Sequence, residues 1–549
     1  MTLPSGKKPA SPFHDVPPGV VFQPRSRERF QQGIDAIVDA IRPTLGPLPR
    51  LVAVARTHAG DSPELLDDGG LIARRIVALT DRDADMGAMF ARHVLWRLRE
   101  DVGDGTATAA VMLKTIYDEG VKHLVAGGNA MRLRTALESL LPILLDKLNG
   151  MAIPLNSHLP TGEGPGVREF ARSTCPDLET ADLLAEIFDV IGPDGHLEVE
   201  KARGQQSERE YIEGAFWESG LASRNMVNDP RRLVSRLENA AVLITDLEIN
   251  SAQGLVPVLR ACLENGFTSL AILARKFSDD AVALLVNASR SGRLAAIGIK
   301  TPGTGASDQF ANLQDIVTLV GGRAILTATG DSLDQIGPND FGRARRIWAD
   351  PEYFGIVGGK GDPIQLRREL SRLKKALAAS DSADSRRKLR ARIGRLNGGA
   401  ARLLVGGQTE SEQKHRREQA ERASLVLRTA LQDGILPGGG AALLACRAAL
   451  APHPAQSDEQ AAARRILQKA LAQPALAIAA NAGYELHDLP PGLGFNVLTG
   501  QPANMLTAGI LDAAGVQKAA LVAAIKGAAL ALTVDVLIHH ASPPYSPEP

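Results

Sequence analysis

Residues 101–120, "DVGDGTATAAVMLKTIYDEG", set a glycine on each side of Asp104, continue with Thr106, Ala107 and Thr108, and turn apolar at Ala109, Met112, Leu113 and Ile116. That spacing predicts a helix beginning just after Gly105. Glycine lets backbone N–H groups approach an anion without a Cβ in the way, and the helix that follows aims its positive end at the charge. Asp104 adds a hard oxygen ligand of the kind Mg²⁺ takes. Read alone, the stretch is also an ordinary capped helix, with Asp104 or Thr106 as the cap and the glycines as turn residues.

Two more loops share the format. "TLGP" (44–47) follows a helical stripe made by Phe30, Ile34, Ile37, Val38 and Ile41, and "LPGGGAALLACRAAL" (436–450) opens another helix. Helical patterns run on through Leu148. From about 195 to 345, β-rich runs ("AAVLITDLEI", "SLAILA", "LAAIGIK") alternate with helical patterns, the signature of an α/β block. A charged, Arg-rich helical hairpin spans Leu366 to Leu396, broken by "ASDSADS", and Ala-rich helical sequence returns after "NGGA". The α/β block therefore reads as inserted into a helical one.

Lys plus Arg equals Asp plus Glu at 62 each, which gives no global field for nucleic acid or an anionic membrane surface. The three cysteines, Cys175, Cys262 and Cys446, are far apart and have no metal-ligand spacing, which fits a reducing, cytoplasmic setting. No apolar run is expected to reach the roughly 18 residues of a membrane span, and the start has no signal-peptide core. Residues 1–19 and the Pro-rich end read as disordered arms. His539 and His540 read as a pair without partners, and "SRRKLRARIGR" (385–395) as a solvated helix face. No Ser-His or Cys-His arrangement for nucleophilic catalysis is visible, and no substrate-specific acid or base accompanies the glycine loops, so an unrelated nucleotide-dependent enzyme such as a kinase has little support.

The set "RPTLGP", "LLDDGGLIARRI", "DMGA", "GDGTAT", "GDPIQLRREL", "PGGGAALL" and "AGILD", in this order from about residue 20 to about 540, resembles the type I chaperonins, the GroEL-like family. The resemblance implies an α+β multidomain chain. A mostly helical equatorial domain would occupy 20–150 and 433–540, a small intermediate domain 151–194 and 400–432, and an inserted α/β apical domain 195–399. The disordered arms would be 1–19 and 541–549, with Gly195, Gly398 and Gly399 at hinges. It also implies a ring subunit that binds ATP and Mg²⁺ and assists protein folding, with unfolded polypeptide clients held by the apical domain and a co-chaperonin as a further possible partner. Nucleotide would sit on Thr44, Leu45, Gly46 and Pro47. Asp104, Gly105, Thr106, Ala107 and Thr108 would surround the phosphates, Asp104 as metal ligand, while Gly439, Asn496 and Asp512 would flank the adenosine. Without the resemblance, Asn496 is a loop residue and Asp512 a turn carboxylate.

The sequence also departs from the family. Hydrolysis needs a carboxylate to orient water or take its proton, and counting back from Gly434 in "REQAERASLVLRTALQDGILPGGG" the family's aspartate position holds Arg422. A guanidinium cannot act as a base. Asp68, the family's other active-site aspartate, would orient water only weakly by itself, and read alone is a turn residue. Ala107 lacks a family hydroxyl, and Leu48 and Pro49 replace a lysine and a glycine. The apical positions that would grip clients hold Leu221, Asn225, Met226, Val256, Leu259, Val282, Val286 and Asn287. These departures imply reduced ATP hydrolysis. The other reading is a non-hydrolysing paralogue acting as a binding or assembly protein, alone or in mixed rings with a standard subunit.

Overall fold

The computed structural model describes residues 19–47, 49–55, 63–155, 166–230, 233–380, 382–451, 457–486, 490 and 492–539. The two expected disordered arms, apart from Gly19, lie outside the described residues, as do Leu48 and His540. The chain forms two compact units, Met1–Ala185 with Glu418–Pro549, and Glu186–Arg417, so the second is inserted in the sequence of the first.

The first unit is built from helices. Helix Thr106–Val125 is its centre: from Thr106 through Leu113 every residue is buried. A helix apolar on all sides must be surrounded, and Ala514–Ala531, Asp458–Asn481 and Arg25–Ile41 all pack on it. Arg25–Ile41 buries Phe30, Ile34, Ile37, Val38 and Ile41, the stripe read from the sequence. It lies close against Arg82–Val102 because each helix offers a glycine to the other. A Cβ on Gly33 would stand 1.8 Å from the Ala84 carbonyl oxygen, and one on Gly87 2.0 Å from that of Phe30. Helix Ala514–Ala531 is long and apolar enough to cross a membrane, contrary to the expectation of no such run, but two thirds of it is buried in this unit. Its small residues let neighbouring helices approach, which explains its composition without a lipid phase.

The ends of the described chain pair with each other: Val20–Val21 runs antiparallel to Leu537–Ile538. His539 is not partnerless as expected. Its Nε2 is 2.6 Å from Oδ1 of Asp83, whose Oδ2 accepts from Arg25 Nε at 3.1 Å. No sequence spacing links residues so far apart.

The second unit holds a seven-stranded sheet in the order Ala295–Lys300, Ser269–Ala274, Ser235–Thr245, Gly342–Ala349, Phe354–Gly359, Ala215–Trp217, with Ala324–Ile325 also beside Ser235–Thr245. The first three run parallel, and Gly342–Ala349 is antiparallel to its neighbours on both sides. "SLAILA" is buried at all six positions, as a central parallel strand must be. A second, three-stranded sheet places His196–Lys201 parallel to Gly399–Val405, with Glu208–Glu213 on the other side. Gly195 and Gly399 thus stand at adjacent strand starts, and Gly398 ends the preceding helix in the left-handed conformation.

The Arg-rich hairpin is Pro363–Ala379 with Ala383–Asn397. Its second helix is not simply a solvated face. Arg387 and Lys388 are exposed, but Arg392 makes a two-pronged bridge (2.6 and 2.8 Å) to the fully buried Asp315, and Arg395 donates to Asn312 Oδ1 at 2.8 Å. These contacts fix the hairpin on helix Ala306–Val320. All three cysteines are buried.

Candidate functional site

Helix Arg82–Val102 ends at Gly103 (φ 81°), and helix Thr106–Val125 begins after Gly105 (φ 84°). Both glycines adopt a left-handed backbone that other residues reach at a cost, so the chain reverses within three residues with Asp104 at the apex. Both are also pressed against other segments. A Cβ at Gly103 would meet the Arg422 carbonyl oxygen at 2.7 Å, and one at Gly105 would meet Val516 Cγ1 at 2.9 Å. Close packing at the glycines thereby brings helix Glu410–Asp433, with Arg422, to the Asp104 loop.

Asp68 arrives by the same means. It caps helix Gly69–Arg75, Oδ1 accepting from the N–H groups of Gly70 (2.8 Å) and Leu71 (3.1 Å). The next residue, Gly69, packs so tightly that a Cβ would lie 2.9 Å from Thr106 Oγ1. "TLGP" is held from the opposite wall: Asn481 Nδ2 donates to the carbonyls of Arg42 and Leu45, each at 2.8 Å, and Gly46 packs on Ile478. Thr44 is buried and its hydroxyl donates to the Ile41 carbonyl at 2.8 Å.

The third loop turns at Gly439 (φ 64°) and Gly440 (φ 78°), and the Gly438 N–H donates to the Ile510 carbonyl at 2.9 Å. Strand Ile435–Pro437 pairs antiparallel with Leu511–Ala513, setting Asp512 opposite Leu436. Asp512 Oδ2 accepts from Gln517 Nε2 at 2.7 Å. Asn496 ends strand Gly494–Asn496, its side chain capping the turn by accepting from the Leu498 N–H at 3.0 Å.

These segments enclose a cavity of about 370 Å³ lined by every residue singled out from the sequence for nucleotide, metal or hydrolysis: Thr44, Leu45, Gly46, Pro47, Asp68, Asp104, Gly105, Thr106, Ala107, Thr108, Gly439, Asn496 and Asp512, with Arg422 among them. The volume lies in the range of small-molecule sites. Part of the lining is polar, with the carboxylates of Asp67, Asp68, Asp104 and Asp512 and the start of helix Thr106–Val125. Its first N–H groups have no intrahelical acceptor and remain available to an anion. Another part carries apolar walls that sequence reading missed: Pro474, Ile478, Phe495, Val497 and Ile510. Phe495 is braced edge-on by Tyr484, ring centroids 5.3 Å apart. Pro474 and Ile478 lie one turn apart on helix Asp458–Asn481 and Phe495 and Val497 at the end of strand Gly494–Asn496, but no motif links these two segments to each other or to Ile510.

Charge in the cavity is arranged unevenly. Asp104 is open to solvent inside the cavity but closely surrounded by protein, and that crowding raises its pKa against the opposing Gly105 N–H contact and the Arg422 charge. Burial, and then the nearby Asp104 carboxylate, pushes Asp512 up to about 7. Burial would raise Asp68 too, but the guanidinium groups of Arg422 and Arg99 outweigh it and hold the carboxyl below its ordinary range. Arg422 Nη1 is 3.0 Å and Arg99 Nε 2.8 Å from Asp68 Oδ2.

Among the described residues no cluster of three or more His, Cys, Asp or Glu side chains could cage a metal by itself. Mg²⁺ does not need one. It is held through one or two carboxylates together with substrate phosphates and water, which suits Asp104, a carboxylate destabilised as an anion and with one oxygen tied only to the Gly105 N–H at 2.7 Å.

The apical candidates separate by exposure. Leu221, Met226, Leu255 and Cys262 are core residues, whereas Val256 is 43% exposed, Asn225 and Asn287 are exposed, and Leu259, Val282 and Val286 are half-buried. Leu255 and Cys262 share helical spacing with Val256 and Leu259, so this run of apolar residues is divided between packing and surface.

Two crystal structures of chaperonin gp146 from the bacteriophage EL 2 (Pseudomonas aeruginosa) have the same fold. One matches at a TM-score of 0.70 and 20% identity over 95% of this chain and 99% of that one. The other matches at 0.60 and 19% over 94% and 98%. At this identity the likeness establishes the α+β, multidomain chaperonin fold. The model of the TCP-1/cpn60 chaperonin family matches residues 37–542, nearly the whole chain. The glycine loops, the inserted α/β unit and this match lead to one conclusion: the chain belongs to the TCP-1/cpn60 chaperonin family.

Proposed function

We propose that this protein is a ring-forming chaperonin subunit that binds ATP with Mg²⁺ in the cavity of its helical unit and hydrolyses it slowly. The observation that carries the reading is Arg422 in that cavity, 3.0 Å from Asp68. The phosphates would meet the first N–H groups of helix Thr106–Val125, and Asp104 would hold the Mg²⁺, which supplies charge neutralisation to the phosphate oxygens. Phe495, Ile478 and Pro474 offer apolar surface for a base, and Asn496 and Asp512 polar groups for a sugar. Crystallisation of the bacteriophage relative in the presence of ATP-BeFx supports a nucleotide ligand.

Turnover needs a proton acceptor beside the attacking water. Arg422 is not one, and both oxygens of Asp68 are already engaged, Oδ1 by two N–H groups and Oδ2 by two guanidiniums. The site binds better than it hydrolyses. The domain assignment carries over with it: equatorial 20–150 and 433–540, intermediate 151–194 and 400–432, apical 195–399. Clients would meet the exposed Val256 and half-buried Leu259, Val282 and Val286. The small number of cysteines, all buried and far apart in the sequence, favours a cytoplasmic setting.

A second reading, a non-hydrolysing subunit that binds or assembles and shares rings with a standard chaperonin, is favoured by the exposed Asn225 and Asn287 at positions where apolar side chains would grip a client. Measuring ATP binding and phosphate release on one purified sample decides between them. Binding with slow release supports the first reading, binding with none supports the second, and no binding refutes both.

A further inference from the structure

Asp68 is surrounded by more positive charge than a helix cap requires. Arg99 and Arg422 share its Oδ2, leaving one guanidinium charge uncompensated by this carboxylate. The two arginines are held differently. Arg99 is the more buried (16% exposed against 26%), lies over the Trp96 ring at 5.1 Å from its centroid, and threads past Gly70, where a Cβ would come within 2.3 Å of its Cδ. Arg422 is held at its guanidinium by the Asp68 bridge, lines the cavity, and has a buried Nε with no hydrogen-bond partner among the described residues.

Resting on the nucleotide reading of the cavity, we propose that Arg422 is the specificity residue for the terminal phosphate of a nucleoside triphosphate, and that Arg99 is the positioning residue that lets it move. Separating a buried one-to-one ion pair leaves an uncompensated charge and is strongly unfavourable. With Arg99 fixed on Asp68, Arg422 can exchange the shared carboxylate for phosphate oxygens without stranding that charge. A diphosphate places no oxygen at this end, so it gains nothing from the exchange. The result is selectivity for tri- over diphosphate built from two arginines where a single carboxylate would otherwise serve hydrolysis.

Calorimetric affinities of the full chain for Mg²⁺ with ADP, and with the β,γ-imido analogue of ATP, test this without any turnover. The unmodified protein should bind the triphosphate analogue more tightly. Arg422→Gln should lower that affinity by about tenfold or more and leave ADP within about twofold. Arg99→Gln should also weaken the triphosphate selectively, because Asp68 then retains Arg422, and adding Asp68→Asn should restore the preference by releasing it. A purely structural role for Arg99 would not give that rescue. Equal affinity of the unmodified chain for the two nucleotides, or parallel losses for both in Arg422→Gln, overturns the proposal while the cavity remains a nucleotide site. Binding of neither nucleotide overturns the cavity reading as well.

Discussion

The guanidinium of Arg422 stands 3.0 Å from Oδ2 of Asp68 on the wall of a cavity that also holds Asp104 and Asp512. On the proposed nucleotide reading, this contact puts a positive charge where proton abstraction would require a base. Its backbone position is fixed, because the Arg422 carbonyl packs on Gly103 of the Asp104 loop. A chain with this residue at this place can retain the binding half of an ATPase site and lose most of the chemical half.

Asp104→Ala is expected to weaken Mg²⁺-dependent nucleotide binding by an order of magnitude or more, because the carboxylate that would hold the ion is removed. Calorimetry with and without Mg²⁺ should show the loss only when the metal is present. Equal affinity in the variant would reduce the two-glycine loop to a helix cap.

A pH effect is expected in the inserted unit. Burial, then the neighbouring Glu218 carboxyl, and then Glu200 push Glu198 up to about 9, with Arg402 opposing. Tyr353 donates to Glu200 at 2.8 Å and so adds no counter-charge. The folded unit therefore keeps a proton on Glu198 that the unfolded chain releases near its ordinary value of 4.5. Stability from this group is complete below that value and is lost as pH rises towards 9. Glu198→Gln should raise the melting temperature at pH 8 to 9 and leave it unchanged near pH 4. A variant that is less stable at pH 8 would contradict this.

Asp83 joins the two ends of the described chain, accepting from Arg25 and facing His539 at 2.6 Å, with only 9% of its side chain exposed. Asp83→Ala should cost about 1–3 kcal/mol, the usual loss when a buried charged acceptor is removed from its donors. Chemical denaturation of the full chain measures it. Truncation after residue 536, which removes Leu537–Ile538 and His539, should cost at least as much. A neutral Asp83→Ala would mean that the strand pair alone holds the ends.

Much of this architecture is legible in the sequence where a local rule governs. The stripe from Phe30 to Ile41 is a buried helix face, "SLAILA" a buried strand, and the three glycine loops converge on one cavity because glycine is the residue that permits both the reversal and the close approach. Contacts between segments distant in the chain carry no such rule. Arg99 lies four residues before Gly103 without a motif around it, and its partnership with Asp68 depends on how two helices cross. Asn481, which ties down "TLGP", and Phe495, on the apolar wall, were equally invisible. The reading of "SRRKLRARIGR" missed Asp315 because a buried carboxylate on another helix leaves no trace in the charge pattern.

The most direct test is steady-state phosphate release by the purified chain, freed of host chaperonin, beside the same measurement on Arg422→Asp. The account predicts slow release by the unmodified protein at saturating ATP. It predicts a rise in the variant on the order of 10²-fold, the lower end of what a positioned base contributes. In the variant Arg99 still pairs with Asp68, so removing Arg422 does not leave the Asp68 carboxylate without a cation. Fast release by the unmodified protein, with no gain in the variant, would contradict the assignment of Arg422 to the place of the missing base.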